Sequence, residues 1–436
     1  MSSASIAAAP PMQQMSLWAK RGGLAVLDQG LFSGANFLVF VLLARWLVPE
    51  EYGGFAVAYS IFLSLALFHT AILTEPMMVL APGKFVGLFR NYLGLLLYVH
   101  WVITGITALF LAGGAFVAAR LGSAAMAQAL GGLAIAAPFL LLLWLVRRAC
   151  HAHDRPGWSV VASAANFAIA LGGLALLWRM DRLSTFSSLL TLGVAALVAS
   201  LISLAALRPR LYGFTGNPAL AEVIAEHRQY AKWSLLGAAT HWASGQTLTI
   251  VLIPGLLGLT ASAVVAATRN LFRPVSLAMQ SLSLLLLPAF SKLAQTDVPG
   301  HRWNRAVLNA TMLAASGAFF YGLIVSVLAQ RIMHLLYGGL YDAHWMLAIF
   351  FALSTTLSIA KFVLGAALKS VGKVAVVSKA RVASAAVVLI LGIPAIVMWG
   401  LEGALGVGVL GNVVAGAIIA REYANYGLRY MQKAER

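Results

Sequence analysis

Between Gly22 and Tyr423 the chain alternates long apolar runs with short polar interruptions. A bilayer's hydrocarbon core is about 30 Å thick and a helix rises about 1.5 Å per residue, so roughly 20 apolar residues cross it. Twelve runs reach that length: 22–48, 55–80, 89–119, 124–147, 158–180, 186–207, 232–257, 262–288, 305–329, 344–369, 374–399 and 402–423. In lipid the backbone must satisfy its own hydrogen bonds, so each run is expected as an α-helix. The pattern predicts an all-α polytopic membrane protein.

The longest interruption, Arg208 to Ala231, falls halfway and divides the spans into six and six. Within it Asn217 can cap a helix and Pro218 supplies a preset φ, with Leu220, Val223, Ile224 and His227 on one face. A short interfacial helix is expected there. The organisation predicted is a disordered tail over 1–21, a six-helix bundle over 22–207 and a cytoplasmic linker over 208–231. A second bundle over 232–423 and a tail over 424–436 follow. Sliding the sequence by 210 residues sets Leu38 on Leu248, Val41 on Val251 and Asn36 on Gln246, a weak internal match in a chain dominated by alanine and leucine. In the last span Ala404, Gly408, Asn412 and Gly416 recur every fourth position, a stripe read as helix packing. Trp46, Trp158, Trp178 and Trp399 sit near span ends, where indole rings favour the headgroup boundary.

Composition sharpens this picture. With 61% hydrophobic and 10% charged residues, the chain cannot clothe a water-soluble globule. Its net charge of +17 would point to nucleic acid in a soluble protein, but here the positive residues sort by loop, which is a topology signal. With the amino terminus inside, 22 of the 30 Lys and Arg residues fall on inner segments, among them Arg147, Arg148, Lys369 and Arg381. The opposite loops hold Arg45, Arg120, Arg179, Arg182 and Arg331, and the spans themselves hold Arg269, Arg273 and Lys361. Both termini are therefore expected on the cytoplasmic side, with no nucleic-acid partner. The first twenty residues lack the layout of a signal peptide. A single cysteine, Cys150, excludes an intrachain disulfide. No phosphate-cradling glycine loop with its lysine is present, so ATP hydrolysis within this chain is not expected. His151, His153 and Asp154 cluster in an inner loop without a fourth ligand, and no metal site is read there.

The candidate chemistry lies at bilayer depth, where a charge costs roughly 3 to more than 10 kcal/mol unless it faces protein, water or an anionic partner. On the eighth span Ser262, Arg269, Arg273, Ser276, Gln280 and Ser283 are spaced to share one helical face. The tenth span repeats this with Ser354, Ser358, Lys361 and Gly365, and the first with Gln29, Ser33 and Asn36. Three polar stripes predict a hydrated cavity, with His241 and Ser244 of the seventh span and His69 of the second at similar depth. The simplest alternative is that the arginines lock helices together by pairing with acids, of which the spans offer Asp28 and Glu75. Three intraspan cations against two anions favour an anionic substrate instead. Lys361 could also snorkel to the inner face, and His69 and His241 could be packed core residues. Their titration range leaves proton coupling open.

The run Leu43-Ala44-Arg45-Trp46-Leu47-Val48-Pro49-Glu50-Glu51-Tyr52-Gly53, preceded by Lys20-Arg21-Gly22-Gly23-Leu24 and Asn36-Phe37-Leu38, resembles the start of Wzx-type polysaccharide flippases. The stretch from Pro254 to Arg273 gives looser support. The resemblance implies two six-helix bundles of the kind shared with MurJ lipid II flippases and MATE exporters. It implies export of an undecaprenyl-diphosphate-linked oligosaccharide to the outer leaflet of the bacterial inner membrane by alternating access, for surface polysaccharide. The partners implied are the lipid-linked oligosaccharide, the bilayer, and the polysaccharide polymerase and export machinery. No cofactor is implied; proton, sodium or membrane-potential drive stays open. By helix and depth it assigns Arg269 and Arg273 to the substrate, with Lys361, Asn36, His241, Ser244 and Gln280 beside them, and Asp28, His69 and Glu75 as coupling candidates. A MATE-like cation or drug antiporter would want acids in its cavity. A multispan sugar polymerase or ligase would want larger outer loops.

Overall fold

A computed structural model of the chain describes residues 11–211, 216–296 and 301–434. Every regular element among them is helical. In chain order these are α1 (Pro11–Trp46), α2 (Pro49–Leu80), α3 (Phe89–Arg120), α4 (Ala124–Ala152), α5 (Pro156–Arg179) and α6 (Thr185–Leu207). There follow α7 (Leu220–Thr247), α8 (Ile253–Asn270), α9 (Arg273–Thr296), α10 (His301–Tyr337), α11 (Leu347–Ser370) and α12 (Val374–Ala434). Ten helices among the described residues are long and apolar enough to cross a membrane.

Local sequence explains where the helices begin. Pro49 and Pro156 stand in the first turns of α2 and α5, where the missing N–H costs nothing, and Glu50 and Glu51 meet the positive end of α2's dipole. The Val48-Pro49-Glu50-Glu51 run is thus the tight joint between the first two spans. At α6 the Ser184 and Ser187 side chains cap each other's backbone N–H groups.

The two predicted spans at either end of α12 are separated by Gly400, whose positive φ of 56° breaks the helix. Gly258, with φ 84°, does the same near the start of α8, between the predicted seventh and eighth spans. A π-helical turn, Leu248–Leu252, joins α7 to α8. The predicted short interfacial helix does not stand alone. Helix α7 starts at Leu220 and runs unbroken into the seventh span, because no helix-breaking residue separates the amphipathic turns from the apolar ones. Of the face predicted there, Val223 and His227 are buried, while Ile224 is exposed.

Contacts divide the chain into two compact units, Met1–Ala238 and Ala239–Arg436, so the first turns of α7 belong with the amino-terminal unit. In that unit α4 is the hub, touching α2, α3, α5 and α6. Small residues let α4 and α6 approach closely: a Cβ on Gly193 would come within 3.0 Å of the Ala136 backbone. In the second unit α11 is the hub, touching α8, α9, α10 and α12.

Candidate functional site

Two groups of polar side chains in the amino-terminal unit are held by hydrogen bonds between helices. Asp28 on α1 accepts two hydrogen bonds from the Arg147 guanidinium, at 3.2 and 2.8 Å, and a third from Ser163 on α5. His151 Nε2 lies 3.1 Å from the same carboxylate, and Arg147 also covers the Phe32 ring at 4.0 Å. A buried carboxylate needs this kind of charge-assisted partner to be tolerated.

A second polar group surrounds a π-helical turn, Thr70–Thr74, in α2. Such turns disturb the regular i to i−4 ladder and offer carbonyls to other donors. Just before it, His69 Nε2 meets His100 Nδ1 of α3 at 3.0 Å, both rings buried. Within it, the Ile72 carbonyl lies 2.9 Å from His227 Nδ1 of α7, and Arg148 donates to Thr74 at 3.0 Å. Just after it, Glu75 accepts a hydrogen bond from Ser234. Since a carbonyl can only accept, His227 Nδ1 carries the proton, and Nε2 accepts from the Tyr92 hydroxyl at 2.7 Å. Burial pushes the His227 pKa below its usual value, which suits this neutral tautomer. At the exposed edge Lys84 reaches Glu222 and Glu226, both at 2.8 Å, and these hydrogen bonds raise its pKa.

The carboxyl-terminal unit is built differently. A cavity of about 570 Å³ opens among α8, α9, α11 and α12, within the size range that encloses a small ligand. Four cations line it: Arg269 of α8, Lys361 and Lys369 of α11, and Arg381 of α12. No Asp or Glu is among its described lining residues. Arg381 is close enough to Lys361 and Lys369 for the like charges to repel. Lys361 donates to the Asn412 side-chain oxygen, whose amide nitrogen in turn donates to Ser354 at 2.7 Å. Ser358 reaches the same oxygen at 3.4 Å. Neutral partners therefore orient Lys361 without cancelling its charge. Phenyl faces of Phe350, Phe351 and Phe362 complete the wall.

The structure redistributes the residues singled out in the sequence. Arg269 lines the cavity, whereas Arg273 is not among the lining residues and lies instead within electrostatic reach of Tyr337. The eighth-span stripe does not form one continuous face, because the helix turns at Leu271–Phe272, between the two arginines. Ser262 is buried against the Gly258 carbonyl and Ser276 is exposed. On the tenth span Ser354, Ser358, Lys361 and Gly365 all line the cavity. Asn36 is held inside the amino-terminal unit by Tyr59, at 3.0 Å, and Gln29 bonds Ser33. Asp28, His69 and Glu75 are placed as described above. The side chains of His241, Ser244 and Gln280 lie outside the described residues.

Four residues assigned to inner segments are carried on membrane-length helices, as others of that set are. Arg147 and Arg148 lie within α4, Lys369 in α11 and Arg381 in α12. Helical hydrogen bonding does not stop where hydropathy drops, so a basic residue near a span end stays on the helix and can be drawn inward. Asn412 was also hidden: the stripe read as packing places Ala404, Gly408 and Asn412 on the cavity wall. Its one signal was an amide at a position otherwise reserved for alanine and glycine.

An inward-facing multidrug resistance MATE family transporter of the MOP superfamily is similar over 93% of this chain and 96% of its own, with a TM-score of 0.73 at 12% identity. The fold is that of the MOP superfamily. The inward closed form of the lipid II flippase MurJ shares it over 94% of this chain and 90% of its own, with a TM-score of 0.65 at 9% identity. So does a MOP superfamily transporter from Pyrococcus furiosus, described as having a binding pocket of reverse polarity. There the coverage is 94% of this chain and 96% of the other, with a TM-score of 0.59 at 13% identity. No family profile and no curated relative matches the chain. At such low identity the likeness extends to the MOP fold, and substrate has to be argued from the site.

Proposed function

We propose that this chain is a flippase that moves an oligosaccharide carried on a polyprenyl diphosphate from the inner to the outer leaflet of the bacterial cytoplasmic membrane, for surface polysaccharide. The observation that carries this reading is the cavity with four cations and no carboxylate among its described lining residues. A fixed cation in an apolar wall is tolerated when an anion or water answers it. Arginine offers a fork of donors that matches phosphate oxygens, and lysine adds a compact point charge. The Lys361, Asn412 and Ser354 network presents neutral hydrogen-bonding groups to sugar hydroxyls. The MOP fold agrees with a transporter, and one MOP neighbour is named as a lipid II flippase.

In this reading the lipid tail remains in hydrocarbon while only the head crosses. Moving an anion outward down an inside-negative potential releases roughly 2.3 kcal/mol per charge per 100 mV, so voltage alone can drive export. Proton or sodium coupling through Asp28, His69 or Glu75 is not required. The excess of Lys and Arg on inner segments supports cytoplasmic termini. The flipped product then passes to a polymerase and the export machinery. A drug antiporter for organic cations is disfavoured by the charge of the cavity.

Arg269→Ala and Lys361→Ala should each lower surface polysaccharide about tenfold or more, equivalent to about 1.4 kcal/mol of lost recognition, with protein abundance unchanged. Lipid-linked glycan should accumulate on the inner leaflet. Arg273→Ala, off the cavity wall, should have the weaker effect. Normal polymer in both cavity mutants would remove the site, and ion-driven efflux of cationic dyes by the purified protein would support the antiporter.

A further inference from the structure

The cavity holds more positive charge than a diphosphate answers, and the argument that follows rests on the flippase reading. A diphosphate diester carries one negative charge on each phosphorus, whereas Arg269, Lys361, Lys369 and Arg381 all line the wall. Among the described residues no carboxylate forms an ion pair with Lys361, Lys369 or Arg381. Cations sharing one cavity repel each other, and the half-buried Lys361 and Arg381 also lose hydration, so further anions would relieve the arrangement.

The charges are also spread out. Lys361 and Lys369 stand eight residues apart on α11, about 12 Å along its axis, and Lys369 is exposed at the cavity's edge. Arg381 faces them from α12. A single compact anion would be served best by cations converging on one point. A row of cations fits anions repeated along a chain. The Asn412 amide and the rings of Phe351 and Phe362 line the same cavity, a pairing of hydrogen-bonding and apolar surface that suits the two kinds of face on a sugar ring.

We infer that the transported glycan is itself acidic, bearing carboxylate sugars of the uronic acid class that pair with Lys369 and Arg381 while the diphosphate is held elsewhere along the same wall. The test uses the full-length protein in lipid nanodiscs at low ionic strength, titrated with a galacturonic acid tetramer, a neutral glucose tetramer of similar size and inorganic pyrophosphate. The acidic tetramer should bind about tenfold or more tightly than the neutral one. Lys369→Gln and Arg381→Gln should each remove most of that preference, and Arg381→Lys should restore part of it. The restored variant separates loss of charge from loss of folding. Equal binding of the two tetramers overturns the inference, and if pyrophosphate still binds, the diphosphate reading survives that result. A preference for the acidic tetramer without pyrophosphate binding supports the acidic glycan and removes the diphosphate. Binding of neither anion removes both.

Discussion

The two halves of this membrane protein treat buried charge in opposite ways. In the amino-terminal unit the buried Asp28 carboxylate is enclosed by Arg147, His151 and Ser163. In the carboxyl-terminal unit four cations line a cavity, and one of them, Lys361, is held by the neutral Asn412 amide, itself bonded to Ser354. A charge enclosed by its partners holds helices together. A charge left facing a cavity costs stability and leaves something for a ligand to answer. On the flippase reading, the difference assigns substrate contact to the second half and helix packing to the polar groups of the first, where they gather around the π-helical turn of α2.

The strongest way to break this comparison is to open the enclosed group. Arg147→Met leaves Asp28 as a buried carboxylate without its bidentate partner, and should cost about 3–5 kcal/mol of stability, read as a lowered unfolding midpoint in detergent. A melt unchanged from wild type would mean that the Asp28 group is dispensable. The same kind of substitution in the cavity should behave differently. Lys361→Met or Arg381→Met relieves like-charge repulsion, so stability should stay within about 1 kcal/mol of wild type or rise slightly, while polysaccharide export falls. A loss of stability as large as that of Arg147→Met would show that the cavity cations are structural after all.

The smallest expected effect concerns the clasp between α7 and the amino-terminal helices. Because burial lowers the His227 pKa in the folded protein, the neutral form is the stabilising one. Its contribution is complete above the unfolded value of about 6.5 and is lost as pH falls through the lower folded value. Proteolysis near the start of α7 should therefore be faster at pH 5 than at pH 7.5, and His227→Gln should flatten that dependence. Lys84, whose pKa is raised by Glu222 and Glu226, stays charged throughout this window and cannot produce the step. A wild-type rate that does not change with pH would remove His227 from the clasp.

Much of the fold was legible in advance, and for a specific reason. Hydrocarbon thickness sets a minimum helix length, so the apolar runs could be counted directly, and Gly258 and Gly400 mark breaks between consecutive runs. The site was legible only in part. Lys361, Ser354 and Ser358 were found from helical spacing, since they lie within one uninterrupted helix. Arg273 is not among the cavity's lining residues: the spacing rule that grouped it with Arg269 assumes a continuous helix, and the turn at Leu271–Phe272 interrupts it.

What the chain determines by itself is local: where apolar runs are long enough to span, where proline and glycine start or stop a helix, and on which loops positive charge accumulates. Those properties depend on neighbours in sequence and on the solvent. Which charges meet is a matter of tertiary structure. Asp28 finds Arg147 across 119 positions, and the cavity draws Arg269, Lys361 and Arg381 from three helices. Whether a buried charge is enclosed or left to face a ligand depends on partners brought together by packing, and spacing along one helix does not encode them.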